Sequence, residues 1–286
     1  MAQPNLSKAI KELEDTLGII LFERTSKGVI PTPKGAEFLL YAQNILSQLE
    51  KMEQLSVPEG SDLQRFNISI PRGSYIADGF IKFAAELDTQ KPIDINIQET
   101  NSMQAINNMA EGQYNLGIIR YQTVYENYFL DYLSEKKICY DPIWEFEYLA
   151  LMSQKHPLAT SVKVNYSDLN QYVEIMHGDT VVPYLSSSEL KKESQSNLTK
   201  KKIYVYERSS QFNLLMNIPA TYMWVSPIPD NLLSLYQLVQ RKCEAVNHKY
   251  KDLLIYPNGY KFSALDIKFI DKLYESKNEV AFQEYF

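Results

Sequence analysis

Cysteine and histidine are scarce in this chain of 286 residues, which holds two of the first and three of the second. Cys139 and Cys243 stand alone without CxxC spacing, so neither a disulfide framework nor a thiolate metal site is indicated, and both are expected to be reduced. His156, His177 and His248 are scattered, with no spacing for a metal, and His156 before Pro157 reads as a turn residue. No Gly-x-Ser-x-Gly elbow, P-loop or Gly-x-Gly-x-x-Gly motif occurs, so an enzyme and a cofactor are not expected. No apolar run approaches the roughly 18–20 residues of a membrane span. The N-terminus has no basic patch followed by an apolar stretch, so no secretion signal is expected. A cytoplasmic protein without membrane contact is expected.

What is present is ordinary for a globular chain: 45% hydrophobic and 22% charged residues, enough for sizeable cores. The length suits one large domain or two to three modest ones. A net charge of −6 argues against a generic polyanion binder. Residues 1–35 differ from the rest, with Lys8, Lys11, Arg24, Lys27 and Lys34 against Glu12, Glu14, Asp15 and Glu23. Their balance of +1 leaves −7 for the remainder, as expected for a small contact module on an acidic body.

Leu6, Ile10, Leu13 and Leu17 repeat at helical spacing after Pro4, and Gly18 ends that helix. A turn-rich Arg24 to Gly28 precedes a β-prone Val29-Ile30 and the stop Pro31-Thr32-Pro33. A longer helix is expected from Lys34 to about Ser56. Its seam, Phe38, Ala42, Ile45, Leu49 and Met52, has coiled-coil spacing, and Val57 to Ser61 reads as a linker. From Arg65 onward strands and helices alternate, the signature of an α/β sheet. Strands are expected at 66–70, 93–98 and 116–119, helices at 75–87 and 102–111, and a last helix at 263–276.

The run Gln3-Pro4-Asn5-Leu6-Ser7-Lys8-Ala9-Ile10-Lys11-Glu12-Leu13-Glu14, then Leu17-Gly18, Leu21-Phe22-Glu23-Arg24 and Thr32-Pro33-Lys34-Gly35, resembles the LysR-type transcriptional regulators. It matches their recognition helix, wing and linker start. Glu99 to Ser102, Gly112 to Ile119, Tyr148 to Ala159 and Phe262-Ser263 resemble later parts of the same family. The resemblance implies an α/β chain in three parts: a partial winged helix-turn-helix over 1–35, a dimerising linker helix over 36–60, and a two-lobed effector domain over 66–286. That domain would be similar to type 2 periplasmic binding proteins, with one lobe over 66–143 and 252–286 and the other over 144–251. The chain opens at the turn into the recognition helix, where the family pattern has two further helices. Leu6, Ile10 and Leu13 are then expected to lack the partners that cover them, and specific DNA binding by these residues alone is expected to be weak. A start upstream of Met1, a trimmed chain and a truncated form all remain open.

A recognition helix puts its first residues near base edges in the major groove. Gln3 is expected to hydrogen-bond a base and Pro4 to touch a thymine methyl. Ser7, Lys8 and Lys11 are expected on phosphates, with Arg24 and Lys27 in the wing. For Lys8 and Lys11 a solvated face beside Glu12 and Asp15 is the other reading. In the effector domain the expected cleft wall is Arg72-Gly73-Ser74, Thr100-Asn101-Ser102 and Arg120 in one lobe, and His177-Gly178-Asp179 and Ser209-Ser210 in the other. Strand ends and helix N-termini favour a small anion there. Ser102 reads equally as an N-cap, and Arg120 as an ion-pair partner of a nearby acid. Tyr75, Tyr121, Tyr125 and Tyr128 read as cleft or core. Ala220-Thr221-Tyr222 departs from the family's Gly-x-Gly turn. The expected partners are double-stranded DNA, a small anionic effector, RNA polymerase and further copies of the chain, as homodimer or homotetramer. The alternative is a cytoplasmic binding or decoy subunit that dimerises without gripping DNA specifically.

Overall fold

A computed structural model describes residues 3–25, 28–55, 62–161, 164–178, 201–206, 208–243, 249–283 and 285. The chain divides into two compact units, the first over Met1–Ser61 with Glu111–Gln113 and the second over Asp62–Ala110 and Tyr114–Phe286.

The first unit is a helix α1 (Gln3–Leu17), a hairpin of β1 (Phe22–Thr25) and β2 (Gly28–Pro31), and a long helix α2 (Pro33–Leu55). Gly18 stops α1: at φ 68 it takes the left-handed turn that a side chain resists, and its N–H reaches the Glu14 carbonyl at 2.9 Å. The Glu14 carboxylate then accepts from the backbone N–H of Leu21 at 2.7 Å and of Phe22 at 3.0 Å, fixing the helix to the start of the hairpin. Thr32 closes the other end. Its hydroxyl donates to the Ile20 carbonyl at 2.7 Å and accepts from the Gly35 N–H at 2.9 Å, which caps α2 ahead of Pro33. A Cβ on residue 35 would stand 1.8 Å from the Leu21 carbonyl oxygen, so only glycine passes. Among the described residues Leu21 is the one fully buried apolar side chain of this unit.

The second unit holds two five-stranded sheets. The first has the order β4-β3-β5-β12-β6, from β3 (Gln64–Ile70), β4 (Ile93–Glu99), β5 (Leu116–Gln122), β6 (Ile138–Glu147) and β12 (Lys249–Pro257). The second has the order β11-β7-β10-β8-β9, from β7 (Leu149–Ser153), β8 (Val173–His177), β9 (Lys202–Val205), β10 (Thr221–Val225) and β11 (Leu238–Arg241). In each, three strands run parallel and the rest pair antiparallel. The α/β class expected from the alternation is therefore the observed one.

Leu116, Ile118 and Ile119 are fully buried because both faces of the first sheet are covered. On one face α3 (Ser74–Ala85) and the closing helix Ala264–Ala281 pack Phe83 and Phe269 against Phe66, with ring centroids 4.8–5.9 Å apart. Burying each such ring contributes about 2–3 kcal/mol. On the other, α4 (Ser102–Ala110) and α5 (Glu126–Glu135) bring Ile106, Phe129 and Leu133 onto Ile119 and Leu253.

The chain leaves the first sheet at Glu147, enters the second at Leu149, and returns between Arg241 and Lys249. The crossings were expected near Trp144 and near Asp252; they lie a few residues beyond, because the β6–β12 ladder continues from Pro257↔Ile138 out to Lys249↔Glu147. His156 sits in a turn, its Nδ1 accepting from the Leu158 N–H at 3.0 Å and its ring against Tyr172. Among the described residues no helix is long and apolar enough to cross a membrane.

Candidate functional sites

On α1 the side chains of Ser7, Lys8 and Lys11 are exposed together. Lys8 lies 3.7 Å from Glu12, one turn on, but both are largely in solvent, so the pair holds Lys8 weakly. Glu14 is turned onto the backbone N–H groups of Leu21 and Phe22, while Glu12 and Asp15 stay exposed on the same helix. Arg24 is exposed on β1 opposite Val29. The side chains of Gln3 and Pro4 lie outside the described residues, as does Lys27. The helix and hairpin thus present Ser7, Lys8, Lys11 and Arg24, four donors with no apolar cover.

In the second unit the ends of β3, β4 and β5 bring Ser74, Thr100, Asn101, Ser102 and Arg120 together. Thr100 donates its N–H to the Ile70 carbonyl at 2.8 Å. Asn101, not Ser102, caps α4: its Oδ1 accepts from the Gln104 N–H at 2.9 Å. The Ser102 hydroxyl instead clips onto the backbone of β5, donating to the Arg120 carbonyl at 2.6 Å and accepting from its N–H at 2.9 Å. Ser74 opens α3 and is buried. In the other lobe His177 ends β8 and is half-buried. The Ser209 side chain and Asp179 lie outside the described residues.

Arg120 is in the ion-pair arrangement that stood as the second reading of that residue. Its Nε and Nη2 donate to the two carboxylate oxygens of Asp252 at 2.8 and 2.7 Å, and both side chains are almost wholly buried. Burial works against the charge on Arg120, and the adjacent Asp252 more than offsets it, holding the guanidinium well above its ordinary pKa. Nη1 crosses to the second lobe and donates to the Ser226 hydroxyl at 3.0 Å. Tyr75 donates its hydroxyl to the same Asp252 carboxylate. Its own pKa is pushed well up, first by burial and then by that negative charge. The Phe146 ring lies under the guanidinium at 4.9 Å. Gly73 is required beside it, since a Cβ there would meet Nη2 at 2.8 Å. Arg72 makes a second bridge, donating to the Tyr206 carbonyl at 3.1 Å.

Sequence reading placed Arg120 here but missed Asp252, Ser226 and Phe146. The available signal was Asp252 itself, a lone acid leading into the apolar Leu253-Leu254-Ile255, since a carboxylate in a buried strand demands a cation. Of the tyrosines, Tyr121 stacks on Phe129 at 4.9 Å and Tyr128 donates to the Met103 sulfur, so both serve the core beneath α4 and α5.

Residues 1–36 match the model of the bacterial regulatory helix-turn-helix protein, lysR family. The chain is 26% identical over 174 residues to the uncharacterized HTH-type transcriptional regulator YnfL of Escherichia coli (strain K12), covering 59% of this chain and 54% of that one. It is 26% identical over 184 residues to the hydrogen peroxide-inducible genes activator of Haemophilus influenzae (strain ATCC 51907 / DSM 11121 / KW20 / Rd), covering 63% and 56%. The matches thus span about half the length of these curated relatives. Among solved structures, CbnR, a LysR family transcriptional regulator, superposes with a TM-score of 0.60 at 13% identity, over 96% of this chain and 90% of that one.

Proposed function

From the premise that the chain carries a LysR-family helix-turn-helix segment and shares its fold with LysR-type regulators, we propose that it is a DNA-binding transcriptional regulator governed by a small molecule. The observation that carries the reading is the polar face of α1 and β1, where Ser7, Lys8, Lys11 and Arg24 stand exposed while Glu14 is turned away. Gln3 and Pro4 read bases, Ser7, Lys8 and Lys11 hold phosphates, and Arg24 and Lys27 contact the backbone or minor groove from the wing. The exposed Ile45, Leu49 and Met52 of α2 meet a second copy, giving a homodimer or a higher homo-oligomer. The protein works in the cytoplasm and meets RNA polymerase at promoters.

The effector is a small anion between the lobes, taken by the helix starts at Ser74 and Thr100-Asn101-Ser102 together with His177 and Ser209. Arg120 contributes Nη1, the nitrogen outside its Asp252 pair, so an arriving carboxylate or phosphate competes with Ser226 for it. Ligand and DNA are then coupled through differential affinity for two lobe arrangements.

Selection of duplexes from a random library by the full-length protein, followed by anisotropy on the enriched sequence, tests the reading. A motif should emerge. Arg24→Ala should weaken binding to every duplex alike, whereas Gln3→Ala should relax discrimination at one base pair by about 1–3 kcal/mol. Failure to enrich any motif sinks the proposal.

A further inference from the structure

One short segment of the second lobe reaches the first lobe at three points. After β10 ends at Val225 the chain runs Ser226-Pro227-Ile228-Pro229 and then enters a short helix, Asp230–Leu235. Those four linking residues are all buried. The two prolines fix φ and carry no N–H, so the segment is stiff and cannot join a strand ladder. Its middle is riveted to its own lobe. The Gln240 side chain of β11, itself buried, accepts from the Ile228 N–H at 3.0 Å and donates to the Ile228 carbonyl at 3.1 Å. The segment therefore travels with the second lobe as a rigid lever.

Its two ends grip the first lobe differently. At one end the Ser226 hydroxyl accepts from Arg120 Nη1 at 3.0 Å. That nitrogen lies outside the Asp252 pair, and its other acceptor is the Arg72 carbonyl at 3.4 Å, so both of its acceptors are neutral. At the far end Asn231 Nδ2 donates to Asp78 Oδ1 at 3.4 Å, and Gln283 Nε2 donates to the Asp230 carboxylate at 3.0 Å. Asp78 is a fixed post. It is buried on α3, with its other oxygen bonded by the Ser276 hydroxyl at 2.6 Å and paired with Lys82 at 3.1 Å. Beside it Gly79 lets α3 and the closing helix meet, since a Cβ there would stand 2.9 Å from the Leu273 Cα. A neutral acceptor on a guanidinium yields to a charged one, because ionic hydrogen bonds are about twice as strong. A carboxylate already held by a hydroxyl and an ammonium offers no such exchange.

We propose that Ser226–Asn231 is a lobe strap, with a releasable catch at Arg120–Ser226 and a fixed pivot at Asp78 and Gln283. Loss of the catch lets the second lobe swing about the pivot to a second, discrete arrangement. The strap leans on the regulator reading only for what opens the catch, an anion arriving at Nη1. Its test uses neither ligand nor DNA, so a failure here leaves that reading standing.

Dipolar distances between nitroxides on Thr89→Cys and Thr160→Cys, exposed positions in the first and second lobes, test the strap. The full chain carries Cys139→Ser and Cys243→Ser and is diluted with unlabelled chain, so that only distances within one chain are read. The parent should give one dominant distance. Ser226→Ala should add a second, discrete one, its population raised about tenfold, the factor lost with one hydrogen bond to a charged group. Asn231→Ala with Gln283→Ala should instead broaden the single distribution, because the catch holds while the pivot is gone. A merely structural bond at Ser226 would lower the melting temperature and leave the distance in place. The strap is overturned if Ser226→Ala adds no second distance, or if the surface pair leaves the distribution as it is or splits it in two. If Ser226→Ala does not fold, the surface pair decides alone on those same outcomes.

Discussion

The two units solve opposite problems. In the first, the fastenings between helix and hairpin are local: Glu14 to Leu21, Thr32 to Ile20 and Gly35 to Thr32 are 7, 12 and 3 residues apart. In the second, the decisive contacts join residues far apart in the chain: Arg120 to Asp252 spans 132 residues, Tyr75 to Asp252 spans 177, and Arg120 to Ser226 spans 106. The first unit buries one large apolar side chain among its described residues and turns Tyr41, Ile45, Leu46, Leu49 and Met52 outward. The second buries many of its aromatics and pairs its buried Arg120 with Asp252. One region keeps its shape with short polar clips and offers its surface to others, while the other spends its side chains on itself.

The largest expected effect lies in the second unit. Replacing Asp252 by Asn leaves the Arg120 charge buried without a full counter-charge, which should cost about 3–5 kcal/mol. For a body of this size that corresponds to a melting-temperature drop of about 10 °C, measurable by calorimetry. A drop below about 2 °C would mean that water reaches the guanidinium and the pair is not the brace described here. Gly35→Ala is the counterpart in the first unit. Its Cβ meets the Leu21 carbonyl, and the resulting shift should cost about 3 kcal/mol locally, so DNA binding should be lost while the calorimetric transition of the second unit stays in place. Two transitions falling together would contradict the division into two units.

The same contrast explains what could be read from residue order alone. Leu17-Gly18 is legible because a left-handed stop is a local event, whereas Pro31-Thr32-Pro33 reads only as a stop and the clearance that Gly35 gives the Leu21 carbonyl is not visible in residue order. The elements between Arg65 and Ile119 and the last helix were visible within a few residues through their apolar periods, while those of the second sheet were not individually legible. The site was not. Nothing near Arg120 in the chain announces Asp252, and no local rule says that the Ser102 hydroxyl clips to β5 while Asn101 takes the cap. The crossovers were read a few residues inside their observed ends, because β6 continues through Trp144 and Phe146 to Glu147.

Ile45→Asp with Leu49→Asp should convert an associating protein into a smaller species in sedimentation, because two charges would then stand in a face that is now apolar. An unchanged mass would remove α2 from the assembly. A smaller effect is expected from pH. Burial holds the His156 imidazole down at about 4, while in the unfolded chain it titrates near 6.5. Above 6.5 both states are neutral and nothing is gained or lost. Below it the unfolded chain takes up the proton first, so stability should fall by about 2 kcal/mol by pH 5 and level off near pH 4. His156→Asn keeps an acceptor for the Leu158 N–H and should flatten that part of the stability curve.

The smallest effect sharpens the comparison most, because it separates a surface made for a partner from one made for the fold. Lys8 is highly exposed, and its one ion pair, to Glu12, is worth little in water. Lys8→Ala should therefore leave the melting temperature unchanged to within about 1 °C. If the ammonium lies on a phosphate in the complex, it releases about one counterion on binding, so the mutant's plot of log affinity against log salt should be shallower by about one ion. The loss should be the same on every duplex, matched or mismatched, since a phosphate contact carries no base information. A mutant whose loss depended on sequence would put Lys8 on a base edge. One with an unchanged slope and an unchanged affinity would leave Lys8 as a solvated residue beside Glu12, and the phosphate-binding face of α1 would have to be redrawn around Lys11.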